Sequence, residues 1–173
     1  MAKGIIISGY PGIGKTTASK QHSNIIDLEC SDYKWVYKDE NTKNIKKEQR
    51  KGTKNRQLNP QWPGNYIEDI INYSLKYDFI LISQQKELRS LLDDKNISYI
   101  ICFPNLESKE YYINRYEKRG NNTSYITIQK QNYEKWVMEL LNSPQQKIIL
   151  TDNQYLEEYL IKNKMLQESK QEQ

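Results

Sequence analysis

The chain has 173 residues, a length typical of one domain, and its 26 Lys and Arg against 22 Asp and Glu give a formal net charge of +4. Mean hydropathy is low at −0.92, but 14 tyrosines supply apolar area that this index undercounts, so we expect a folded protein rather than a disordered one. No stretch approaches the ~20 apolar residues of a membrane span and none resembles a signal peptide, which predicts a cytoplasmic protein with no membrane partner.

A glycine-rich stretch follows the first apolar run of the chain. Ile5, Ile6 and Ile7 are typical of a buried parallel strand. The next residues fit the pattern G-x-x-x-x-G-K-[ST], and they read Gly9-Tyr10-Pro11-Gly12-Ile13-Gly14-Lys15-Thr16. A helical pattern begins near Lys15. A strand, a glycine loop and a helix in this order predict a phosphate-binding loop, whose backbone N–H groups converge on phosphate oxygens; a glycine-rich turn without chemistry is the alternative.

The predicted loop gives roles to the side chains around it. Lys15 would reach the β- and γ-phosphates of ATP as a point charge, and the Thr16 hydroxyl would be a ligand of Mg²⁺. A dinucleotide-binding loop fits less well, because the glycines follow G-x-x-G-x-G and not G-x-G-x-x-G. The residues predicted to bind the cofactor ATP are Gly9, Pro11, Gly12, Ile13, Gly14, Lys15, Thr16 and Thr17.

Acidic side chains lie at the end of the second predicted strand, which covers residues 24–28. Strand alternation would aim Asp27 and Glu29 the same way, beside the phosphate-binding loop. Two carboxylates in such a place hold Mg²⁺, orient an acceptor or take a proton from an acceptor hydroxyl. We predict that Asp27 serves catalysis and metal binding. The predicted acceptor contacts here are Glu29, Ser31 and Asp32, although a solvated strand end followed by a turn is the alternative.

The basic charge of the chain is concentrated in one segment. Residues 34–58 hold nine Lys or Arg against three Asp or Glu, a charge of +6, so the rest of the chain is about −2. Few aliphatic residues lie in the middle of this segment, which predicts a loop or a helical flap. The segment lies between the second strand and the next helix, where a functional loop is one interpretation, and Arg56 and Trp62 are its predicted acceptor contacts. Nucleic acid is a candidate partner through the basic segment, and a purely solvated charge run is the alternative.

The third predicted strand has no acid at its end. A helix is predicted over residues 65–76, and its core-facing stripe consists of Ile67, Ile70, Ile71 and Leu75. The strand that follows, residues 79–82, ends in Ser83 and Gln84, where the second acid of a metal site would stand. Asp27 is therefore the nearest candidate for an outer-shell acid of Mg²⁺.

Two arginines share a face of a helix predicted over residues 106–119, after a helix over 86–95 and a fourth strand over 97–103. Arg115 and Arg119 are four residues apart, the spacing of neighbours on a helix surface. They could clamp the transferring phosphoryl group, and we predict both to be catalytic. A surface row paired with glutamates is the alternative.

The remaining predicted elements are a long helix over 125–141, a fifth strand over 147–150 and a last helix over 153–164. The residues that the long helix is expected to bury are Ile128, Tyr133, Trp136, Val137 and Leu140. His22 is the only histidine, and we expect it to cap the first helix and face solvent. Cys30 and Cys102 have no metal-binding spacing and are expected to be free thiols.

Five strands separated by helices, with the glycine loop after the first, carboxylates after the second and arginines after the fourth, resemble the nucleoside monophosphate kinases of the adenylate-kinase-like group. The specific match is Gly9 to Thr16, and residues 113–120 look like that group's approach to its lid. The short chain rich in Lys, Asn, Ile and Tyr is similar to phage-encoded nucleotide kinases. The resemblance implies an α/β three-layer P-loop NTPase fold with a parallel five-stranded sheet and one domain over residues 1–173. It also implies an acceptor-binding insert over residues 34–63, a short lid at 115–124 and an adenine site near 151–153.

The sequence as a whole predicts an enzyme, an ATP-dependent phosphotransferase that uses Mg²⁺ and phosphorylates a nucleoside or deoxynucleoside monophosphate. Lys15, Arg115 and Arg119 would neutralise charge on the phosphoryl oxygens. One alternative is a kinase of a hydroxyl on a nucleoside, a nucleic-acid end or a modified DNA base, with Asp27, Glu29 or Asp32 as the base. A non-catalytic nucleotide-binding switch is the other alternative, although no switch motif is recognisable. The sequence does not fix the oligomeric state.

Overall fold

The fold is described from a computed structural model, for residues 3–37 and 56–168. Within these two ranges the chain forms seven β-strands, seven α-helices and a 3₁₀ turn at Leu106–Ser108. The strands are β1 Ile5–Gly9, β2 Ile25–Asp27, β3 Trp35–Tyr37, β4 Arg56–Leu58, β5 Phe79–Ser83, β6 Ile100–Pro104 and β7 Gln146–Leu150. The helices are α1 Lys15–Gln21, α2 Ser31–Lys34, α3 Gly64–Ser74, α4 Lys86–Asp94, α5 Lys109–Lys118, α6 Thr123–Leu141 and α7 Leu156–Lys162. None of the helices in these ranges is both long and apolar enough to cross a membrane.

Five parallel strands form the main sheet, in the order β2-β5-β1-β6-β7. β1 lies in the middle, and its Gly9 is level with Ser83 of β5 and Cys102 of β6. Ile7 and Ile80 are fully buried, as expected for central strands that are covered on both faces. The predicted parallel five-stranded sheet is therefore confirmed, and the carboxyl ends of its three central strands lie together on one edge.

Helices cover both faces of this sheet. Because parallel crossovers are right-handed, the connection from β1 to β2 puts α1 on one face, and the returning connections put α3 and α4 on the other. α7 packs with α1, whereas α3 packs on β1 and β5, and α6 packs on β6. Arg89 of α4 pairs with Glu139 of α6 at 3.4 Å, which joins two helices of the second face. The arrangement is α/β and compatible with the three-layer fold predicted from the sequence.

Tyrosine supplies much of the core, which explains how a chain of low mean hydropathy folds. The large side chains that are fully buried include Tyr66, Tyr112, Tyr116, Tyr133 and Phe103. The two predicted apolar stripes are partly wrong, because Ile128 is 49% exposed, Leu75 is 58% exposed and Ile71 also lies on the surface. α6 buries Tyr133, Val137 and Leu140 as predicted, but it turns Gln129 inward in place of Ile128, since its packing against α5 and β6 sets which face is covered.

The ends of the basic segment form a small antiparallel ribbon rather than a loop or a helical flap. β3 pairs with β4, so that Trp35 lies opposite Leu58 and Tyr37 lies opposite Arg56. The aromatic and β-branched residues of β3 favour this pairing. Seven of the nine Lys and Arg residues of the segment lie at 38–55, outside the described residues, and so do the predictions that concern them.

His22 ends α1 as predicted, but it is buried and does not face solvent. It is 7% exposed, and its Nε2 lies 2.6 Å from Glu157 Oε1 of α7. The prediction was wrong because α7 covers this end of α1, a contact that the local sequence does not signal.

Cys30 and Cys102 are both free thiols and both buried, which confirms the prediction from the sequence. Burial raises the pKa of each thiol, so the reactive thiolate is scarce at neutral pH. We expect iodoacetamide to alkylate both residues in the native chain at least about tenfold more slowly than in the urea-unfolded chain, as measured by peptide mass spectrometry. Rapid modification of either cysteine in the native chain would contradict this burial.

Candidate functional site

The Gly9–Thr16 loop joins the carboxyl end of β1 to the first turn of α1, at the centre of the sheet edge. Gly12 and Gly14 have φ angles of +91° and +92°, in the left-handed region that glycine adopts without strain. A Cβ on Gly12 would lie 3.0 Å from the Tyr116 ring, and a Cβ on Gly14 would lie 2.8 Å from the Tyr155 ring. Glycine is therefore required at both positions by backbone conformation and by close packing.

Lys15 begins α1 and folds back over this loop. Its Nζ donates to the Gly9 carbonyl at 2.8 Å and lies 3.4 Å from the Tyr10 carbonyl oxygen. The charge of Lys15 also acts on both buried thiols, where it opposes the effect of burial on the pKa of Cys30 and Cys102. The lysine thus places a cation over the central strands, at the point where they end.

Thr16 and Asp27, the pair predicted to hold a metal, are in direct contact. Thr16 Oγ1 donates to Asp27 Oδ2 at 2.9 Å. β2 is two strands away from β1, roughly 10 Å at the usual strand spacing, so the contact reaches across the end of β5. A hydroxyl and a carboxylate are hard oxygen donors of the kind that suits Mg²⁺, which keeps much of its shell as water and phosphate oxygens. These two residues therefore fit the predicted ion.

β5 ends without an acid, and an amide occupies that place. Gln84 Nε2 lies 3.3 Å from Ser8 O and 3.2 Å from Cys102 O and donates to both, so it ties the end of β1 to the end of β6. In the part of the chain that the structure describes, no group of three or more His, Cys, Asp or Glu side chains could hold a metal by itself. Asp27 is the carboxylate that contacts Thr16.

Glu29 lies beyond the end of β2, so strand alternation does not set its direction, contrary to our expectation. Ser31 Oγ donates to Glu29 Oε1 at 3.2 Å, and Ser31 begins the short helix α2. Asp32 lies in the same helix and is exposed. The three predicted acceptor contacts are therefore close to one another, in the turn that leaves the strand.

Tyr66 of α3 ties the ends of two strands and is a site residue that sequence reasoning missed. Its hydroxyl donates to the Leu28 carbonyl and accepts from the Ser83 N–H at 3.2 Å. Near it, Gln85 Nε2 donates to Cys30 Sγ at 3.2 Å. Burial raises the pKa of Tyr66 well above its usual value, so the hydroxyl keeps its proton. The sequence offered no signal for this role, because an inward tyrosine on a helix is usually a core residue.

The two ends of the predicted insert, residues 34–63, meet at one acidic side chain of α4. That side chain is Glu87, and its partners are Lys34 and Trp62. Lys34 Nζ lies 2.6 Å from Glu87 Oε1, and Trp62 Nε1 donates to the same oxygen at 3.2 Å. The hydrogen bond from Lys34 lowers the pKa of Glu87. Trp62 stacks on Tyr66 with ring centroids 5.5 Å apart, whereas the guanidinium of Arg56 lies 3.9 Å from the centre of an indole ring of β3. Trp62 therefore borders the site, and Arg56 belongs to the ribbon.

Arg115 and Arg119 leave their helix in different directions. Arg115 is 8% exposed and donates from Nη1 to the Gly12 carbonyl at 2.7 Å. Arg119 is exposed, and its Nη2 donates to Asn121 Oδ1 at 3.2 Å. It also acts on Tyr125, where burial raises the pKa to about 12 and the charge of Arg119 opposes the rise. Arg115 is thus enclosed against the loop, whereas Arg119 is exposed at the C-terminal end of α5.

The remaining predicted site segments border the same edge of the sheet. The predicted lid at 115–124 consists of the end of α5, a short connection and the first residues of α6. The predicted turn at 151–153 contacts Arg115, whose Nη2 donates to Asn153 O at 2.7 Å. The structure therefore gathers the loop, the acids after β2 and the end of α5 into one candidate site.

A comparison of the chain with models of protein families found no match, and a comparison with curated proteins found none either. The resemblance to nucleotide kinases stays a prediction. The function proposed below therefore rests on the residues and the geometry of the chain itself.

Proposed function

We propose that the chain is an ATP-dependent phosphotransferase that uses Mg²⁺ and transfers the γ-phosphoryl group to a nucleoside or deoxynucleoside monophosphate. The observation that carries the proposal is the Gly9–Thr16 loop at the end of the central strand, with Lys15 folded over it and Thr16 in contact with Asp27. Loops of this kind hold polyphosphates through backbone N–H groups, and a hydroxyl beside a carboxylate suits the accompanying Mg²⁺.

The chemistry asked of the chain is placement and charge stabilisation. Lys15 would exchange its carbonyl contacts for oxygens of the β- and γ-phosphates. Thr16 and Asp27 would hold Mg²⁺, which neutralises phosphate charge when bound. Arg119, exposed at the open end of α5, would meet the charge that develops as an oxygen of the acceptor bonds to the γ-phosphorus and the bond to ADP breaks.

The acceptor would bind on the side of α2 and α3. Residues that border this side are Glu29, Ser31, Asp32 and Trp62. A base can stack on an indole, and sugar hydroxyls can donate to carboxylates, so the surroundings suit a nucleoside. An acceptor phosphate is already ionised at neutral pH and needs a cation rather than a base, and Arg119 lies near Tyr125 at this edge.

A hydroxyl acceptor is the second candidate, and one observation favours it. Lys34 at the start of the insert is already paired with Glu87 at 2.6 Å, which reduces the positive charge offered to an acceptor phosphate. Glu29 lies on the same side, and its carboxylate could take a proton from a hydroxyl. The acceptor would then be a nucleoside, a nucleic-acid end or a modified DNA base.

A screen with γ-labelled ATP and Mg²⁺ tests the proposal. We expect label to pass to one or a few nucleoside monophosphates, and we expect transfer to stop when Mg²⁺ is chelated. The panel also holds nucleosides and single- and double-stranded oligonucleotides, so label on these would select the second candidate. ATP binding without transfer to any acceptor would contradict both.

A further inference from the structure

Three successive carbonyls of the Gly9–Thr16 loop each accept a hydrogen bond from a donor outside the loop. The three bonds join Pro11 O to the Tyr116 hydroxyl at 2.7 Å, Gly12 O to Arg115 Nη1 at 2.7 Å, and Ile13 O to the Leu156 N–H at 3.0 Å. The donors come from α5 and from the first residue of α7, which lie far from the loop in sequence. The outer side of the loop is therefore held by parts of the chain that the loop motif does not include.

Peptide geometry turns these carbonyl bonds into a constraint on the donors of the loop. In a planar trans peptide, the C=O of one residue and the N–H of the next point in opposite directions. Holding Pro11 O and Ile13 O outward therefore turns the N–H groups of Gly12 and Gly14 to the other side, away from α5 and α7. Gly12 and Gly14 are also the residues with left-handed φ, where the chain has the most conformations to lose.

The guanidinium of Arg115 donates from both Nη atoms and lies against two tyrosine rings. Besides its bond to Gly12 O, it donates from Nη2 to Asn153 O at 2.7 Å and to Asn153 Oδ1 at 2.8 Å. The ring centroids of Tyr112 and Tyr155 lie 4.3 Å and 3.8 Å from the guanidinium carbon. The guanidinium thus joins the loop to the turn before α7, and both of its Nη atoms already donate to oxygens of the chain.

We infer that Arg115 and Tyr116 are positioning residues, which hold the Gly9–Thr16 loop ready for a polyphosphate and do not touch the transferred phosphoryl group. The inference rests on the proposed function for the nature of the ligand. Donors that fix the loop in advance remove an ordering cost that would otherwise weaken ATP binding. Their loss therefore acts on ATP affinity rather than on the chemical step. Arg119, exposed one turn later, is the other arginine of the predicted pair, and we assign the phosphoryl group to it.

Arg115→Lys and Tyr116→Phe test the inference with little change in volume. Lysine keeps the charge but lacks the fork that reaches Gly12 O and Asn153 together, and phenylalanine keeps the ring but loses the hydroxyl. We expect calorimetry to show that Kd for ATP with Mg²⁺ rises about tenfold or more in the first variant and about fivefold in the second. We expect kcat at saturating ATP to stay within about threefold of wild type. Lys130→Ala, which removes an exposed positive charge from α6 outside the candidate site, is the control and should change neither value.

Amide hydrogen exchange examines the loop without ATP, so it separates failure of this inference from failure of the proposed function. We expect faster exchange over residues 9–16 in Arg115→Lys than in wild type or the control, while circular dichroism shows an unchanged fold. Unchanged exchange with unchanged ATP affinity would overturn the inference. A lower kcat with unchanged ATP affinity would also overturn it, because Arg115 would then act in the chemical step. Faster exchange in a chain that binds no ATP would support the positioning role and overturn the proposed function alone.

Discussion

Lys15→Ala is expected to abolish phosphoryl transfer, with kcat/KM falling by about 10³-fold or more, because it removes the cation held over the Gly9–Thr16 loop. The side chain is half-buried and bonds to loop carbonyls at Gly9 and Tyr10, so its loss should change the melting temperature little. Steady-state transfer from labelled ATP measures the rate, and thermal unfolding followed by circular dichroism checks the fold.

Lys20→Ala is the matched control for this variant. Lys20 lies in the last turn of the same helix and is exposed, so the change removes the same charge away from the loop. We expect its turnover to stay within about twofold of wild type. Near-normal turnover in Lys15→Ala would contradict the proposed function, and equal losses in both variants would point to the charge of α1 rather than to the loop.

Asp27→Asn is expected to raise the Mg²⁺ concentration for half-maximal activity and to lower kcat at fixed Mg²⁺ by about 10- to 100-fold. Asparagine keeps an oxygen that can accept from Thr16 Oγ1, now 2.9 Å from Asp27 Oδ2, but it removes the charge that attracts the ion. With a monophosphate acceptor the pH profile should keep its shape, because the attacking oxygen carries no proton at neutral pH. Initial rates over a series of Mg²⁺ concentrations and pH values measure both effects.

Asp78→Asn controls for the loss of a carboxylate elsewhere, since Asp78 precedes β5 at the opposite edge of the sheet and bonds to Asn24. If Asp27→Asn lost the acidic limb of its pH profile at saturating Mg²⁺, Asp27 would be a general base and the acceptor a hydroxyl. If its Mg²⁺ dependence matched that of wild type, Asp27 would have no part in the metal site.

The main sheet and the Gly9–Thr16 loop could be predicted from the sequence because local signals determine them. Residues 5–7 and 79–82 are apolar runs of strand length, and both lie in central strands that are covered on two faces. The glycine pattern predicts a loop between the first strand and the first helix, and the structure places Gly9–Thr16 there, with Gly12 and Gly14 in the left-handed region.

The directions of the two arginines could not be predicted, because they depend on what packs against the helix. A spacing of four residues puts Arg115 and Arg119 on one side of α5, but the loop and Asn153 enclose only the first. The antiparallel pair of β3 and β4 could not be predicted either, because the two strands are far apart in sequence. β3 has three residues, and residues 38–55 separate it from β4, so no local pattern marks the pair.

The bond from the Leu156 N–H to Ile13 O cannot form until residue 156 has been synthesised, so the loop reaches its final contacts late. A ribosome releases the glycine loop early and residue 156 much later, so a nascent chain carries the loop before its last partner exists. The bond from Arg115 Nη2 to Asn153 O likewise forms only after residue 153 has been synthesised. A ligand that binds the finished loop would favour, by mass action, molecules in which these early and late segments have met. We accordingly expect removal of α7 by proteolysis to weaken the polyphosphate binding that we propose for the loop, because the loop would lose the Leu156 N–H.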